Sequence, residues 1–465
     1  MRSLQALQDR FNRPIMFVLR LRVPADVDPK GSLVGAVREA GARITEIKLT
    51  DLENSSLVYD LTLLTTGDDQ MAAVRKGVEA IAGVQVVAVI DCALESHRGG
   101  ACEMRSRTPI TSNTDMRIVY TPGVARICKA IQKNPALAKT YTNIPNKVAI
   151  ATNGTAILGL GDIGCLAGLP VMEGKAAIFW EFTKISAEPV LIDTRDADEF
   201  INVLEKLAVG FGAIQVEDVA APECFRITRE LDRRLNIPVM HDVQHGTATI
   251  VLAGLFSALR KTGKRIGDLR VAISGAGAAG TAIADMLSTA GVADVVLCDS
   301  VGIIYRGRSQ RMNPEKQALA ERSNKDNLQG TLADAMKGRD LFIGVSQPRI
   351  VSQDMVRSMA KDPIVFALAN PVSEITVPES LAAGAAVAAD GRILNNALAY
   401  PGIFRGALDC GATAITQEMC LAAANALAAR VPEGSFLPEM MDPATHQAVA
   451  EAVKNAAGPG TSLVR

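Results

Sequence analysis

The sequence predicts an α/β protein built from several units, and three patterns predict it. Residues 14–92 alternate strand-like and helix-like signals in the order βαββαβ, the order of a ferredoxin-like sandwich. From residue 116 to 245, short apolar runs alternate with amphipathic helical stretches, which implies a mostly parallel sheet. From 270 onward a second α/β region opens on a strand, then Gly275-x-Gly277-x-x-Gly280, then a helix, the arrangement of a Rossmann-type dinucleotide fold.

Bulk properties agree with that class. A chain of 465 residues is too long for one core, so two or three domains are expected. It is 48% hydrophobic and 21% charged, as globular proteins are, and its 4% aromatic content leaves Ala and Gly to pack helices closely on sheets. With 49 basic and 50 acidic residues the net charge is −1 and no basic block stands out, so nucleic acid is not an expected partner. No uncharged apolar run is long enough to span a bilayer, and the first residues lack the apolar segment and cleavage site of a signal peptide. Eight scattered cysteines without a C-x-x-C pair read as reduced thiols, and the expected location is the cytoplasm.

In order along the chain, "PIMFVLRLRV" is a strand, "GSLVGAVREAG" has helical spacing, and "ARITEIKLTDL" and "SSLVYDLTLLT" are strands. "DDQMAAVRKGVEAIAG" is a capped helix and "VQVVAVIDC" the last strand. This unit resembles the ACT domains fused to metabolic enzymes, which often bind a small effector, so either regulation or a purely structural or dimerising role is open; the Pro-Gly frequent in the first ACT loop is absent from "VPADVDPKGS". The polar stretch 94–115 reads as a linker and holds His97. Beyond it, "KVAIATNG", "AAIFWEF", "PVLIDT", "GAIQVED" and "IPVMHD" read as buried strands, with "DADEFINVLEKLAVGF" and "CFRITRELDRRL" as helices between them.

The chemistry-bearing residues fall at the ends of these runs. The Gly275–Ala276–Gly277–Ala278–Ala279–Gly280 turn suits a pyrophosphate resting on a helix N-terminus. Asp299 ends the next strand, where a carboxylate binds the ribose hydroxyls and repels a 2′-phosphate; this favours NAD. Arg306, Arg308 and Arg311 follow and would accommodate NADP if their loop folds back. Glu217 and Asp218 close one buried strand and Asp242 another, so the sheet gathers carboxylates at its C-terminal edge. Such a set suits Mg²⁺ or Mn²⁺; the plainer reading of Glu217-Asp218 is a helix-capping pair. Lys175 lies in a Gly-flanked apolar segment, either as a base with a depressed pKa or as a surface turn lysine. Asp162 would orient it or cap a turn. Tyr120 stands beside a Thr-Pro turn ahead of a helix.

Taken in order, "YTPGVA", "ILGLGDIG", "LPVMEGKAAIF", "VEDVAAPECF", "HDVQHGTA", "GAGAAG", "FALANPVSEI" and "LNNALAYPGIFRGALD" resemble the motifs of the bacterial malic enzymes, over about residues 110–425. The resemblance implies NAD(P)-linked oxidative decarboxylation of L-malate to pyruvate and CO₂, and a homodimer or higher homo-oligomer. It implies Tyr120 as general acid, Lys175 as general base, Glu217 and Asp218 as metal ligands, and Asn370 and Asn396 at substrate or nicotinamide. It divides the chain into an ACT-like domain (1–95), a substrate and metal domain (96–245), a Rossmann domain (246–435) and a C-terminal helix and tail (436–465).

One stretch departs from the family. Two successive acids usually precede its "QHGTA", the second being a metal ligand; here they are Asp242 and Val243. Either Asp242 takes the role, or two carboxylates hold the metal with water and substrate. His241 and His245, two of only four histidines, are expected to order the loop, imidazole being a poor Mg²⁺ ligand. Two other outcomes remain open at this stage: a malolactic-type or other 2-hydroxy-acid dehydrogenase on the same fold, and a catalytically silent ACT-bearing sensor.

Overall fold

The computed structural model describes residues 15–25, 30–53, 56–157, 160–369 and 372–457. Two compact units divide the chain, Met1–Glu103 and Met104–Arg465.

The first unit has the anticipated order: β1 (Ile15–Pro24), α1 (Lys30–Glu39), β2 (Arg43–Glu53), β3 (Ser56–Thr65), α2 (Asp68–Glu79) and β4 (Gln85–Asp91). Its antiparallel sheet runs β2-β3-β1-β4, the ferredoxin-like arrangement, with Leu19 opposite both Leu61 and Val89. From Phe17 onward β1 alternates buried and part-exposed residues, and its buried face meets Leu33 and Val37 of α1 and Met71, Val74 and Val78 of α2. The start of α2 has no side-chain cap: Gly67 occupies the N-cap, and Asp68 and Asp69 complement the helix dipole from the first turn. The stretch read as linker begins with a short helix, α3 (Cys92–Ser96), in which the His97 ring reaches the Ala93 carbonyl.

The second unit starts with α4 (Asn113–Val119), closed by a Ser112/Asp115 capping box, α5 (Gly123–Lys133) and a single turn α6 (Ala138–Tyr141). A parallel sheet follows, β5 (Lys147–Thr152), β6 (Ser186–Leu191), β7 (Ala213–Val216) and β8 (Val239–His241), in the order β6-β5-β7-β8. Helices α7 (Cys165–Thr183), α8 (Ala197–Leu207) and α9 (Glu223–Arg234) connect its strands. The run "AAIFWEF" is not a strand: Ala176–Phe182 is the second half of α7. A short apolar run has no period that separates strand from buried helix, and here the apolar composition continues back to Cys165.

After a π-type turn at Asp242–Gly246 come α10 (Thr247–Thr262), β9 (Arg270–Ser274), α11 (Ala278–Thr289), β10 (Asp294–Asp299) and β11 (Gly302–Ile303). Then follow α12 (Pro314–Arg322), α13 (Leu332–Met336), β12 (Leu341–Gly344), α14 (Gln353–Arg357), β13 (Ile364–Ala367), α15 (Val377–Ala382) and β14 (Val387–Asp390). Their sheet runs β11-β10-β9-β12-β13-β14, parallel except for β11, and reverses direction of growth at β9 and β12 as a doubly wound fold does. Helices α16 (Tyr400–Cys410), α17 (Gln417–Ala429) and α18 (Pro443–Ala456) finish the unit. A continuous core joins both sheets through Ile150, Phe179, Ile273, Phe404 and Val449. No described helix is long and apolar enough to cross a membrane.

Candidate active site

The C-terminal edge of the β5–β8 sheet carries the acids. Glu217 and Asp218 directly follow β7, with Asp218 in the left-handed region at φ 48°, and Asp242 begins the π turn after β8. Side chains that are far apart in the chain meet here. Lys175 Nζ, on α7, donates to Asp242 Oδ2 at 2.5 Å and lies 3.2 Å from Glu217 Oε1. Asn396 Nδ2 donates to the same Asp242 oxygen at 2.8 Å, and Gln215 Nε2 donates to Glu217 Oε2 at 2.6 Å. Asp242 is 0% exposed, and Glu217 and Asp218 are buried.

Burial would lower the Lys175 ammonium, but Asp242 and Glu217 outweigh it and hold the amine well above its ordinary value. The depressed lysine expected from an apolar segment is therefore not found: the surroundings are apolar in sequence and anionic in space. Burial pushes Glu217 up to about 8, with Lys175 opposing and the charges of Asp242 and Asp218 adding to it. The Tyr400 ring lies under Lys175 with its centroid 4.8 Å from Nζ. Its buried hydroxyl has no hydrogen-bond partner, and burial raises the phenol above its usual range.

The histidines order the turn. His245 Nδ1 reaches the His241 carbonyl at 3.1 Å, and burial lowers both rings, His241 to about 3. Neither bonds to the carboxylates, so both are neutral packing groups at physiological pH.

For a divalent ion the donor set fits in kind. Three buried carboxylates lie at this edge, two of them against one ammonium, and Asp242 Oδ1 is buried without a hydrogen-bond partner. The acids do not converge on one point: among the described residues, no three His, Cys, Asp or Glu side chains form a metal-holding group. Asp242 is drawn toward Lys175 and Asn396, while Val243 offers no donor.

The glycine turn divides its labour. Gly275 has φ 115°, and a Cβ there would lie 2.6 Å from the Val345 carbonyl; one on Gly280 would lie 1.8 Å from the Gly275 carbonyl. Gly277 faces open space at the N-cap of α11, and no side chain caps that helix, which leaves its N–H groups to an anion. The π turn bearing Asp242 packs against α11, so the nucleotide turn and the carboxylates adjoin. Asp299 sits beside this turn, its carboxylate gripped by Arg308 and by Lys316 at 2.6 Å. Burial would raise Asp299, yet these bonds hold it well below the carboxylate range. Arg311 donates to Ser300 and Arg306 to the Lys325 carbonyl.

Not every expected residue joins the cluster. Tyr120 is 64% exposed at the end of α4, and no hydrogen bond links it to Lys175, Glu217 or Asp242. Asp162 pairs with Arg195 at 2.8 Å and orients no lysine. Asn370 lies outside the described residues. Two residues to which no motif assigns a role join the cluster: Gln215, two positions before Glu217, and Tyr400, one helical turn after Asn396.

The family model for the malic enzyme N-terminal domain matches residues 100–232, and that for the malic enzyme NAD-binding domain matches residues 244–457. The chain belongs to the malic enzyme family. It is 42% identical over 449 residues to an NAD-dependent malic enzyme of Geobacillus stearothermophilus, covering 94% of each chain. It is 45% identical over 368 residues to a bifunctional malic/malolactic enzyme of Bacillus subtilis, covering 77% of this chain and 90% of that one. A malic enzyme crystal structure from Pyrococcus horikoshii superposes with TM-score 0.77 at 39% identity, over 80% of this chain and 92% of that chain. Malic enzymes decarboxylate malate oxidatively with NAD(P), and a divalent metal is typical of them. This member is an oxidoreductase of that reaction.

Proposed function

We propose that Lys175, acting with Asp242, is the proton acceptor of malate oxidation, and the 2.5 Å bond between them carries this reading. Lys175 in its neutral form accepts the proton of the C2 hydroxyl as hydride leaves C2 for the nicotinamide, and Asp242 holds the amine in position. The resulting 2-keto acid loses its β-carboxylate as CO₂, and Tyr120 protonates C3 of the enolate to give pyruvate. Asn396 holds Asp242 in register and, with Asn370, reaches substrate or nicotinamide. Glu217 and Asp218, with Asp242 beside them, would hold a divalent ion, and such an ion would supply Lewis-acid chemistry. NAD is the preferred cofactor, because Arg308 and Lys316 are committed to Asp299 and are not free for a 2′-phosphate.

The enzyme works in the cytoplasm as a homodimer or higher homo-oligomer, and the ferredoxin-like unit is an ACT-like regulatory domain for a small effector. Lys175→Ala is expected to lower kcat by about 10²–10⁴-fold with the circular dichroism spectrum unchanged. Near-normal malate turnover in that variant would remove Lys175 from the mechanism. Product analysis separates pyruvate plus NADH from lactate, the alternative suggested by the malic/malolactic relative.

A further inference from the structure

A second buried acid stands apart from the Lys175 cluster. Glu374 is 0% exposed, and among the described residues its carboxylate bonds only to neutral groups. The Ser346 N–H donates to Oε1 at 2.8 Å and the Ala369 N–H to Oε2 at 3.0 Å, with the Ser346 hydroxyl 3.4 Å from Oε1. Each oxygen accepts a backbone proton, the pattern of an ionised carboxylate. A buried charge without a cation is costly, and packing alone does not require one.

What the carboxylate joins gives it a use. Ser346 stands two residues past the end of β12, and Ala369 two residues past the end of β13. The sheet reverses between β9 and β12, the place at which a doubly wound fold binds a dinucleotide across its two halves. The glycine turn after β9 serves the adenosine half, which leaves the loops after β12 and β13 to the nicotinamide half. Two contacts tie Glu374 to that crevice. Ser346 Oγ lies 2.8 Å from the Oγ of Ser274, the residue directly before Gly275. A Cβ on Gly344 would lie 2.3 Å from Glu374 Cδ, so β12 ends in a residue that lets the carboxylate in. The segment of Glu374 is itself pinned, because the Val351 N–H donates to its carbonyl and the Arg349 N–H to that of Ser373, both at 3.1 Å.

We infer that Glu374 is a positioning residue for the nicotinamide half of the cofactor, its carboxylate clamping together the loops after β12 and β13. Being fully buried, it acts through those loops and touches neither cofactor nor substrate. Ala369 directly precedes Asn370, so the clamp also fixes the start of the segment for which a contact with substrate or nicotinamide is proposed above. The clamp acts on cofactor binding and is independent of the roles proposed for Lys175 and Tyr120.

Glu374→Gln keeps the shape of the side chain but replaces one accepting oxygen with an NH₂ group that meets a backbone N–H, so one of the two loops is released. Titration calorimetry of the full chain without malate compares NADH or NADPH, whichever the wild-type enzyme binds more tightly, with ADP, which fills the adenosine half alone. The variant's Kd for the reduced cofactor is expected to rise about tenfold, and its Kd for ADP to stay within about twofold of wild type. Steady-state assays are expected to show the same split, the KM for the oxidised cofactor rising about tenfold and the KM for malate holding still. A purely structural role would weaken both nucleotides alike or neither, and either result overturns the inference. Should Glu374→Gln fold poorly, hydrogen exchange of the wild-type chain decides. The Ser346 and Ala369 amides are expected to be protected without cofactor, and exchange as fast as that of an open loop would overturn the clamp.

Discussion

Glu217 shows how a residue's surroundings rewrite its chemistry. In solution a glutamate is ionised at neutral pH; here burial and two neighbouring acids push it up to about 8, so it keeps a proton that the proposed metal ion would displace. Mn²⁺ binding measured by titration calorimetry is accordingly expected to release about one proton near pH 7 and to tighten as pH rises toward 8, levelling beyond it. Identical apparent affinity at pH 6 and pH 8 would contradict this wiring. The same shift bears on stability. Because the folded state keeps the proton where the unfolded chain has lost it, Glu217 works against folding increasingly from its unfolded value near 4.5 up to about 8. Glu217→Gln, which mimics the protonated acid, is therefore expected not to lower Tm at pH 7.5 and to gain on the order of 1–3 kcal/mol there relative to pH 5. Thermal melts of both proteins across that range test it; a Tm loss that grows with pH would refute it. Which residue types belong to the site was legible in the sequence, since Glu217, Asp218 and Asp242 all end strands. What they bond to was not, because Lys175 and Asp242 are 67 positions apart and no local pattern encodes their meeting.

At the scale of elements, the π turn after β8 is the piece that aims the site. It places Asp242 against Gly246, where an added Cβ would lie 2.2 Å from Asp242 Oδ1. Gly246→Ala has no backbone penalty, its φ being −63°, so its effect is expected to fall on the carboxylate. The alanine methyl would push Asp242 away from Lys175 and lower kcat by about 10²-fold, with a Tm loss of only a few degrees. Unchanged kcat would show that the turn does not hold the acid. The crossing of α16 and α18 depends on glycine for a different reason: a Cβ on Gly406 would sit 2.4 Å from the Ala450 carbonyl and 2.7 Å from Val453 Cβ. Gly406→Ala is expected to cost about 1–3 kcal/mol by overpacking, read as a lower Tm. Elements with a clear period were legible, as in β1 and α9. The second half of α7 was not, because a helix that is apolar on every face has lost the pattern by which helices are recognised.

The whole molecule consists of a small antiparallel sandwich and a larger unit in which two parallel sheets share one core. The shared core braces the helix of Lys175: Phe179 of α7 packs edge-on against Tyr400 and Phe404 of α16, at 5.0 and 5.4 Å between ring centroids. The sandwich has its own core of Leu19, Leu21, Leu61, Leu63 and Val74. A protein lacking residues 1–103 is thus expected to fold and to turn over malate, since every side chain proposed for the chemistry lies beyond Met104. If the sandwich is regulatory, the full chain will respond to a small molecule and the shortened one will not. Malate assays of both, screened with amino acids and central metabolites, decide the matter. A modulator acting equally on the two would place its site in the catalytic unit, and loss of turnover on truncation would show that the sandwich supports the fold of the catalytic unit itself.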